Sequence, residues 1–522
     1  MAGDNREYEL KFRAGPDALA CAKSAFDAID PEGQWTVSHL RSRYFDTASR
    51  RLGSRGVSLR VRQSDGKSVQ TVKTAAGGGG GIMDRWEWEC RIDGIEPDFS
   101  RLPAEALDAL GGVKAADLEP IIDVAVERQS KVVRREDPLG PTLVAEAVLD
   151  QGTVSAGGRT EGLSEVELEL GQGRAQPFFQ LAAAFIAACP MPVSSTTKAE
   201  RGYRLLAGTE PGPSKLAKFQ MAGDLTVDGA LARIFSACIG NITANEQACL
   251  DGTDPEGVHQ MRVSIRKLRS ALKTFKRYID PLQLDWLAAD LKWMGSQLGP
   301  ARDWDVFLDE TLVSMAAHGI DAGAVAALER EGRRKRADAY KSVRTMLGGA
   351  RYAQVMLRLT AFAALQSWRP DPATRGPGKN PLATPLGKAA RRILNRPYKK
   401  LLKAGDGMAG LDMAARHQVR IRIKQLRYAV DFLRGVHSVS ETEAFGAALR
   451  HLQDNFGHLN DVVMALRLTG ELIDPAQGPV DEEVRLAVGE VRGWNARALR
   501  DIEPQLITDW QAFVETAPYW RK

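Results

Sequence analysis

Three ionisable residues near the start of the chain, Glu7, Glu9 and Lys11, alternate with Tyr8, Leu10 and Phe12. Successive side chains of a β-strand point to opposite faces, so this run predicts a strand with two carboxylates and an ammonium on one side and apolar groups on the other. Facing outward, such a row is a solvated edge. Facing inward, it must be neutralised, and a divalent cation held by hard oxygen ligands does that. The same period recurs. Arg60 and Arg62 share a face, Glu87 and Glu89 alternate with Trp86 and Trp88, and Glu165, Glu167 and Glu169 alternate with Val166, Leu168 and Leu170. Lys73 adds a cation after Val72. Two architectures account for strands with one charged and one apolar face: an open sheet or sandwich with a wet outer side, or a closed barrel with a polar lumen and its apolar side chains turned out under covering helices.

The elements that must position these residues are short. Strands are predicted over residues 7–13, 39–45, 58–63, 69–73, 85–92, 143–149 and 165–170, with turn signals at Asp65-Gly66, Asp93-Gly94 and Gln151-Gly152. Helices are predicted over 16–29, where Ala18, Leu19, Ala22, Phe26 and Ile29 form a stripe, and near 103–110 and 177–189. This is an α+β pattern dominated by antiparallel strands. The Trp86/Trp88 pair reads as outward packing, and Asp150 either orders lumen cations or ends its strand.

Length and composition set the frame. The 522 residues imply about three domains, with two or four also compatible, and 44% apolar and 26% charged residues are ordinary for soluble proteins. No apolar run reaches the roughly 18 residues of a membrane span; the longest candidate lies around 181–189. Residues 1–6 lack the apolar core of a secretory signal. The five cysteines (21, 90, 189, 238 and 249) form no CxxC pair, which predicts reduced thiols in the cytoplasm and argues against a disulfide framework or zinc cluster. The GxxxxGK[ST] pattern is absent, so a P-loop is excluded.

After a Pro/Gly punctuation at 208–214, nearly everything reads as helix, and a second Pro/Gly stretch at 370–385 interrupts it. Through residue 210 the chain holds 26 Lys+Arg against 31 Asp+Glu, a balance of −5; the remainder holds 71 − 26 = 45 against 66 − 31 = 35, a balance of +10. That split points to an anionic partner for the second part. An internal repeat flanks the interruption: His259, Arg262, Arg266 and Arg269 match His417, Arg420, Lys424 and Arg427, each 158 residues on, and the stretch from Leu298 to Asp303 matches that from Phe456 to Asp461 at the same offset. Each set follows i, i+3, i+7, i+10, one helix face, while Val258, Met261, Ile265, Leu268 and Leu272 supply an apolar stripe. Four stacked cations repel one another unless a polyanion or acidic neighbours neutralise them, and two such faces can converge on one groove. The two histidines, without second ligands at metal spacing, read as phosphate-contacting or positioning donors. Asp303 and Asp461 either position arginines or simply belong to helix N-termini. Basic clusters at 333–336 and 391–403 could extend the basic surface.

These motifs carry a resemblance. Glu7-x-Glu9-x-Lys11 resembles the opening signature of CYTH proteins, the triphosphate tunnel metalloenzymes. It is followed in order by Arg43-Tyr44-Phe45-Asp46-Thr47, Leu59-Arg60-x-Arg62, Thr71-Val72-Lys73, Trp86-Glu87-Trp88-Glu89, Leu118-Glu119-Pro120 with Arg128, Leu149-Asp150-x-Gly152, Glu165-x-Glu167-x-Glu169 and the Lys198–Tyr203 run. Departures are the Gly77–Gly81 run after Lys73, which lengthens that hairpin, and the alternatives Lys131, Arg134 and Arg135 close to Arg128. The second half resembles a CHAD domain, a conserved-histidine α-helical domain, over roughly 222–470 with a helical tail to 522; its second copy departs with Asn460 in place of Arg302.

The resemblance implies an eight-stranded antiparallel tunnel with flanking helices at 1–208, a linker at 209–221 and an all-α domain of two duplicated bundles at 222–522. It further implies phosphate contacts and catalysis from Lys11, Arg60, Arg62, Lys73, Glu87, Glu89, Arg128 and Lys198, with Glu7, Glu9, Glu167, Glu169 and Asp150 holding Mg²⁺ or Mn²⁺. Inorganic polyphosphate is expected on His259, Arg262, Arg266, Lys267, Arg269, Arg302, His417, Arg420, Lys424 and Arg427. The expected reaction is metal-dependent hydrolysis of inorganic triphosphate, in the cytoplasm and in association with polyphosphate granules, without a membrane partner and with nucleic acid the weaker polyanion. The rivals are a non-catalytic polyanion binder, an adenylate cyclase and a thiamine triphosphatase built on the same tunnel.

Overall fold

The structure, a computed structural model, describes residues 6–15, 17–75, 81–370, 380–477 and 479–521. Residues 1–6 of the leader reading are therefore described only at Arg6; residue 16 of the first expected helix, residues 77–80 of the glycine run and residues 371–379 of the midway stretch lie outside the described residues. The chain gathers into two compact units: Met1–Ser214 with Phe235–Ala248 and Met346–Ser367, and Lys215–Ile234 with Cys249–Thr345 and Trp368–Lys522.

In the first unit eight strands close a barrel: β1 (Arg6–Arg13), β2 (Trp35–Thr47), β3 (Ser58–Ser64), β4 (Lys67–Lys73), β5 (Ile82–Ile92), β6 (Leu118–Arg135), β7 (Leu143–Ala156) and β8 (Arg159–Gln172). Their order is β5-β4-β3-β2-β6-β7-β8-β1, and β1 completes the ring by pairing with β5. Leu10 thus faces Leu168 on one side and Ile82 on the other, and all these pairings are antiparallel. A two-residue strand, β9 (Val193–Ser194), also pairs with β1. The 18-residue β6 was not among the predicted strands. Pro120, which has no N–H to give the ladder, breaks its alternation, and the β2 pairing slips there from Tyr44↔Ile122 to Phe45↔Pro120.

The helices α1 (Ala18–Ile29), α2 (Ala104–Leu110), α3 (Ala175–Ala188) and α4 (Lys198–Ala207) cover the barrel's outside. Leu10, Phe12, Val166 and Leu168 leave the barrel wall to pack against Phe26, Phe178, Phe185 and Ile186 of α1 and α3. The Phe26 and Phe185 rings stack at 4.4 Å. Leu59, Val61, Val72 and Trp88 do the same against Ala106 and Leu110 of α2. The apolar strand faces therefore point out and the charged faces in, as in a closed barrel. Trp86 stacks on Trp88 at 6.2 Å and is 47% exposed, on the outer face. A Thr197/Glu200 capping box starts α4 and so fixes Lys198 at its first turn.

Packing of α1 with α3 also corrects the cysteine expectation. Cys21 and Cys189, 168 residues apart, lie with Cα atoms at 5.9 Å and form a disulfide, whereas Cys90, Cys238 and Cys249 are not disulfide-bonded.

The remaining helices are α5 (Val227–Ala244), α6 (Glu246–Asp251), α7 (Glu256–Thr274), α8 (Pro281–Val306), α9 (Leu312–Ala317), α10 (Ala322–Leu347), α11 (Ala350–Ala364), α12 (Leu386–Ala404), α13 (Met413–Phe432), α14 (Val439–Leu472) and α15 (Glu482–Glu515). In the second unit α7 packs on α8, α12 on α13, α14 on α15, and α7 meets α13. The expected stripe Val258, Met261, Ile265, Leu268 and Leu272 is buried throughout. Among the described residues no helix is long and apolar enough to cross a membrane.

Candidate active site and anion-binding face

The charged rows singled out in the barrel strands, apart from Glu165, line one interior cavity of about 570 Å³. Charge is sorted within it. On one wall, Arg60 and Arg62 of β3 stand 3.5 and 3.6 Å from Glu89, and Thr71 bridges by accepting from Arg60 and donating to Glu89. Burial would raise the Glu89 carboxyl, but the two guanidiniums outweigh it and hold it below the ordinary range. Glu87 pairs with Lys73 at 2.9 Å; burial still lifts its carboxyl upward. Lys73 also reaches Glu7 at 2.8 Å, so two carboxylates hold it.

Around β1 the carboxylates divide into two groups. Glu7, Glu9 and Glu169 bring ligand oxygens within 4.8 Å of one another, and Asp150, Glu165 and Glu167 form a second such set. The second set is a cage filled with cations. Arg128 grips Asp150 through two hydrogen bonds of 2.8 and 2.6 Å and Glu167 at 3.0 Å. Lys198 contacts Asp150 and Glu167 at 2.8 Å each and Glu165 more closely, and Lys11 contacts Glu167 at 2.8 Å and Glu165 at 3.3 Å. Burial would push the Glu167 and Asp150 carboxyls up; Lys11, Lys198 and Arg128 reverse that and hold Glu167 far below the usual range, and Lys198 and Arg128 hold Asp150 below it. Three carboxylates meet three cations, so Asp150 orders lumen cations.

The first set is under-neutralised. Lys73 and Arg85 (2.5 Å) both serve Glu7 and, against burial, keep it well below the usual range. Among the described residues the one cation paired with Glu9 is Lys11 at 3.6 Å, and its Oε1 is buried without a hydrogen-bond donor. Burial, then the charge of Glu167, pushes Glu9 well up, while burial and Glu7 lift Glu169 to about 7. An orphaned buried carboxylate oxygen among three hard oxygen donors fits a divalent cation. The expected metal set is thus divided: Glu7, Glu9 and Glu169 stand together, whereas Glu167 and Asp150 belong to the cation-filled cage.

Two participants were missed as site residues. Arg85 shares the parity of Glu87 and Glu89, and Glu165 that of Glu167 and Glu169, so the strand alternation already contained both. Among the alternatives to Arg128, Lys131 points to the outer side, where it is buried against Asp27 of α1 at 2.8 Å.

In the helical unit α7 and α13 bring Arg262, Arg266, Arg420 and Lys424 into mutual influence. Burial, then Arg420 and Arg266, press the Lys424 ammonium down to about 7. Arg420 has a buried Nε without a partner, Arg262 donates to the Gly295 carbonyl at 3.1 Å, and Arg266 donates to the Tyr428 hydroxyl. The other expected contacts are less convergent. His259 is half-buried, its imidazole pushed down by burial and Arg302, whereas His417 is exposed. Lys267 lies over the Phe219 ring at 5.1 Å, Arg302 pairs with Glu310 at 3.2 Å, and Arg427 with Asp431 at 3.5 Å. Arg269 acts on Lys273 farther along α7. Asp303 pairs with Arg467 at 2.8 Å. The 333–336 cluster adds little positive surface, because Glu329, Glu331 and Asp305 pair with Arg333, Arg334 and Arg336.

Known proteins resemble the chain along both parts. The CYTH domain profile matches residues 5–203 and the CHAD domain profile residues 233–469. An uncharacterized protein of Mycobacterium tuberculosis is 26% identical over 491 residues, 89% of this chain and 90% of its own length. The inorganic triphosphatase of Haemophilus influenzae is 27% identical over 214 residues, 38% of this chain and 55% of its own. The crystal structure of the CHAD domain from the plant Ricinus communis is 31% identical with a TM-score of 0.50, over 59% of this chain and 98% of that one.

Proposed function

We propose, for a chain that belongs to the CYTH family through its barrel and to the CHAD family through its helices, that the barrel hydrolyses inorganic triphosphate with Mg²⁺ or Mn²⁺ and that residues 222–522 bind inorganic polyphosphate. The observation that carries the reading is the sorted charge of one cavity inside the barrel, cationic on the Arg60–Arg62 wall and acidic and under-neutralised at Glu7, Glu9 and Glu169. Arg60, Arg62, Lys73 and Arg128 would clamp phosphate oxygens, with bidentate geometry available to Arg60 and Arg62. Glu7, Glu9 and Glu169 would hold the metal, which when bound supplies charge neutralisation and an acidified water. Lys11 and Lys198 keep the second carboxylate cage neutral, so that the phosphate chain does not meet bare negative charge. The likeness to a protein named inorganic triphosphatase supports the substrate class. For the helices, the convergence of Arg262, Arg266, Arg420 and Lys424 from two copies of one motif supports a phosphate polymer as ligand. The reading puts the protein in the cytoplasm, with polyphosphate granules as its associated store.

Phosphate release from inorganic triphosphate by the full-length protein, with and without Mg²⁺ or Mn²⁺, tests the barrel. Release is expected only with a divalent ion and is expected to fall by a factor of about 100 or more in Glu7→Gln and in Glu9→Gln. Undiminished release in both variants refutes the metal assignment. Cyclic AMP from ATP, or faster turnover of thiamine triphosphate, would redirect the substrate.

A further inference from the structure

Helix α12 carries Lys388, Arg391, Arg392, Arg396, Lys399 and Lys400 and no carboxylate. In a groove of about 990 Å³ these six side chains meet Lys273 of α7, Lys276 and Arg277 just after it and Arg422 of α13, and none of the described residues lining it is acidic. The charges acting on Lys273 are Arg269 and Arg422, and those on Lys400 are Arg396, Arg422 and Lys276; burial and these neighbours press both ammoniums below their ordinary values, with no carboxylate to offset them. Lys388, Arg392, Arg396 and Lys400 repeat every four residues, a spacing at which like charges destabilise a helix.

The fold does not demand this. At the repeat offset of 158 residues, these four positions correspond to Ala230, Ile234, Cys238 and Ile242 of α5, all of them completely buried. One copy of the helix is an apolar core element where the other presents a cationic stripe. A stripe that weakens its own helix and has no packing role is a ligand surface.

Two polyanion classes fit poorly. The apolar face of α12 (Leu386, Ala389, Ile393, Leu394 and Leu401) is buried, so nothing remains to enter a lipid surface. The one aromatic residue lining the groove, Tyr278, is 8% exposed, so bases find no stacking platform. An inorganic phosphate chain needs neither. Along α7, Arg262, Arg266, Arg269 and Lys273 keep one face, the run from His259 to Lys273 spans about 21 Å at the helical rise, and Lys273 itself lines the groove, so this groove continues the motif face.

We propose that the α12 groove is a second binding segment for a linear phosphate polymer, continuous with the α7–α13 face, so that the helical unit prefers long polyphosphate chains to short ones. The inference rests on the polyphosphate reading of the helices. The test titrates full-length protein with long-chain polyphosphate and with a short linear oligophosphate at physiological salt, comparing wild type, K388Q/R392Q/R396Q/K400Q and R262Q/R266Q. All four groove positions are exposed, and circular dichroism checks the fold. The groove variant is expected to lose about tenfold or more in long-chain affinity while short-chain affinity stays within about twofold; the charge-preserving K388R/R392K/R396K/K400R should bind like wild type. A long-chain loss below about fivefold in the groove variant, with R262Q/R266Q impaired, overturns this inference alone. Equal displacement of the long chain by single-stranded DNA also overturns it. Absence of polyphosphate binding by the wild type overturns the underlying reading and this one with it.

Discussion

Replacing Lys198 by Met removes one cation from the cage of Asp150, Glu165 and Glu167. Its ammonium contacts Asp150 and Glu167 at 2.8 Å each and Glu165 as well, and the residue is 9% exposed. Wild type balances three carboxylates against Lys11, Arg128 and Lys198; K198M leaves one negative charge uncompensated. Breaking a buried ion pair by deleting one partner costs about 3–5 kcal/mol, which at 1.36 kcal/mol per power of ten is an opening equilibrium shifted by about 10² to almost 10⁴. Because the chain has two compact units, the readout should be local: hydrogen exchange of peptides from β7 and β8, in the regime where exchange reports opening free energy. The sign of the pH dependence follows from the carboxyls. In wild type Glu167 and Asp150 lie below their unfolded values of 4.5 and 3.8, so their stabilisation is complete above those values and fades only as pH falls through the depressed ones. Without Lys198 their folded values rise, and the destabilisation is largest near neutrality and relieved as the carboxyls take up protons. Exchange in β8 should therefore accelerate by at least about a hundredfold near pH 7.5 and by much less near pH 5, while K198R stays near wild type. Acceleration under about tenfold near pH 7.5, or an equal acceleration at both pH values, would refute the cage argument.

Two further outcomes follow. Glu9→Gln should abolish metal-dependent phosphate release yet leave β1 exchange unchanged or slower by up to about 1 kcal/mol, since it replaces a buried carboxyl that burial already pushes toward neutrality; a clear loss of protection counts against this. Glu246 is fully buried between Arg13 (3.3 Å) and the Tyr352 hydroxyl (2.7 Å), and burial lifts it from 4.5 to about 7. A raised acid binds its proton more tightly when folded, so stability should fall by up to about 3 kcal/mol as pH rises from about 4.5 through 7; Glu246→Gln should flatten that slope in α6 and β1 exchange, and an unchanged slope would be contrary to the argument.

What the chain's order of residues determined was local. Alternation with period two is a property of the extended backbone, so it already sorted Glu7 with Glu9, Arg60 with Arg62, and Glu165 with Glu167 and Glu169 onto shared faces. The 3.6-residue period and the constant offset of 158 likewise marked two matching basic helix faces. Tertiary structure decided which way those faces turn. Only the double pairing of Leu10 with Leu168 and Ile82 closes the ring, and only the cover of α1 and α3 makes the apolar side the outer one. Closure then selected Arg128, directly across from Asp150, over Lys131, and recruited Arg85, whose partner Glu7 is 78 residues away. The same applies to Cys21 with Cys189, and to the two motif histidines, equivalent in sequence but half-buried in one copy and exposed in the other. Backbone geometry is set residue by residue and can be read from neighbours; the energy of a buried charge depends on what the folded chain places within a few ångströms of it, and that is a property of long-range pairing.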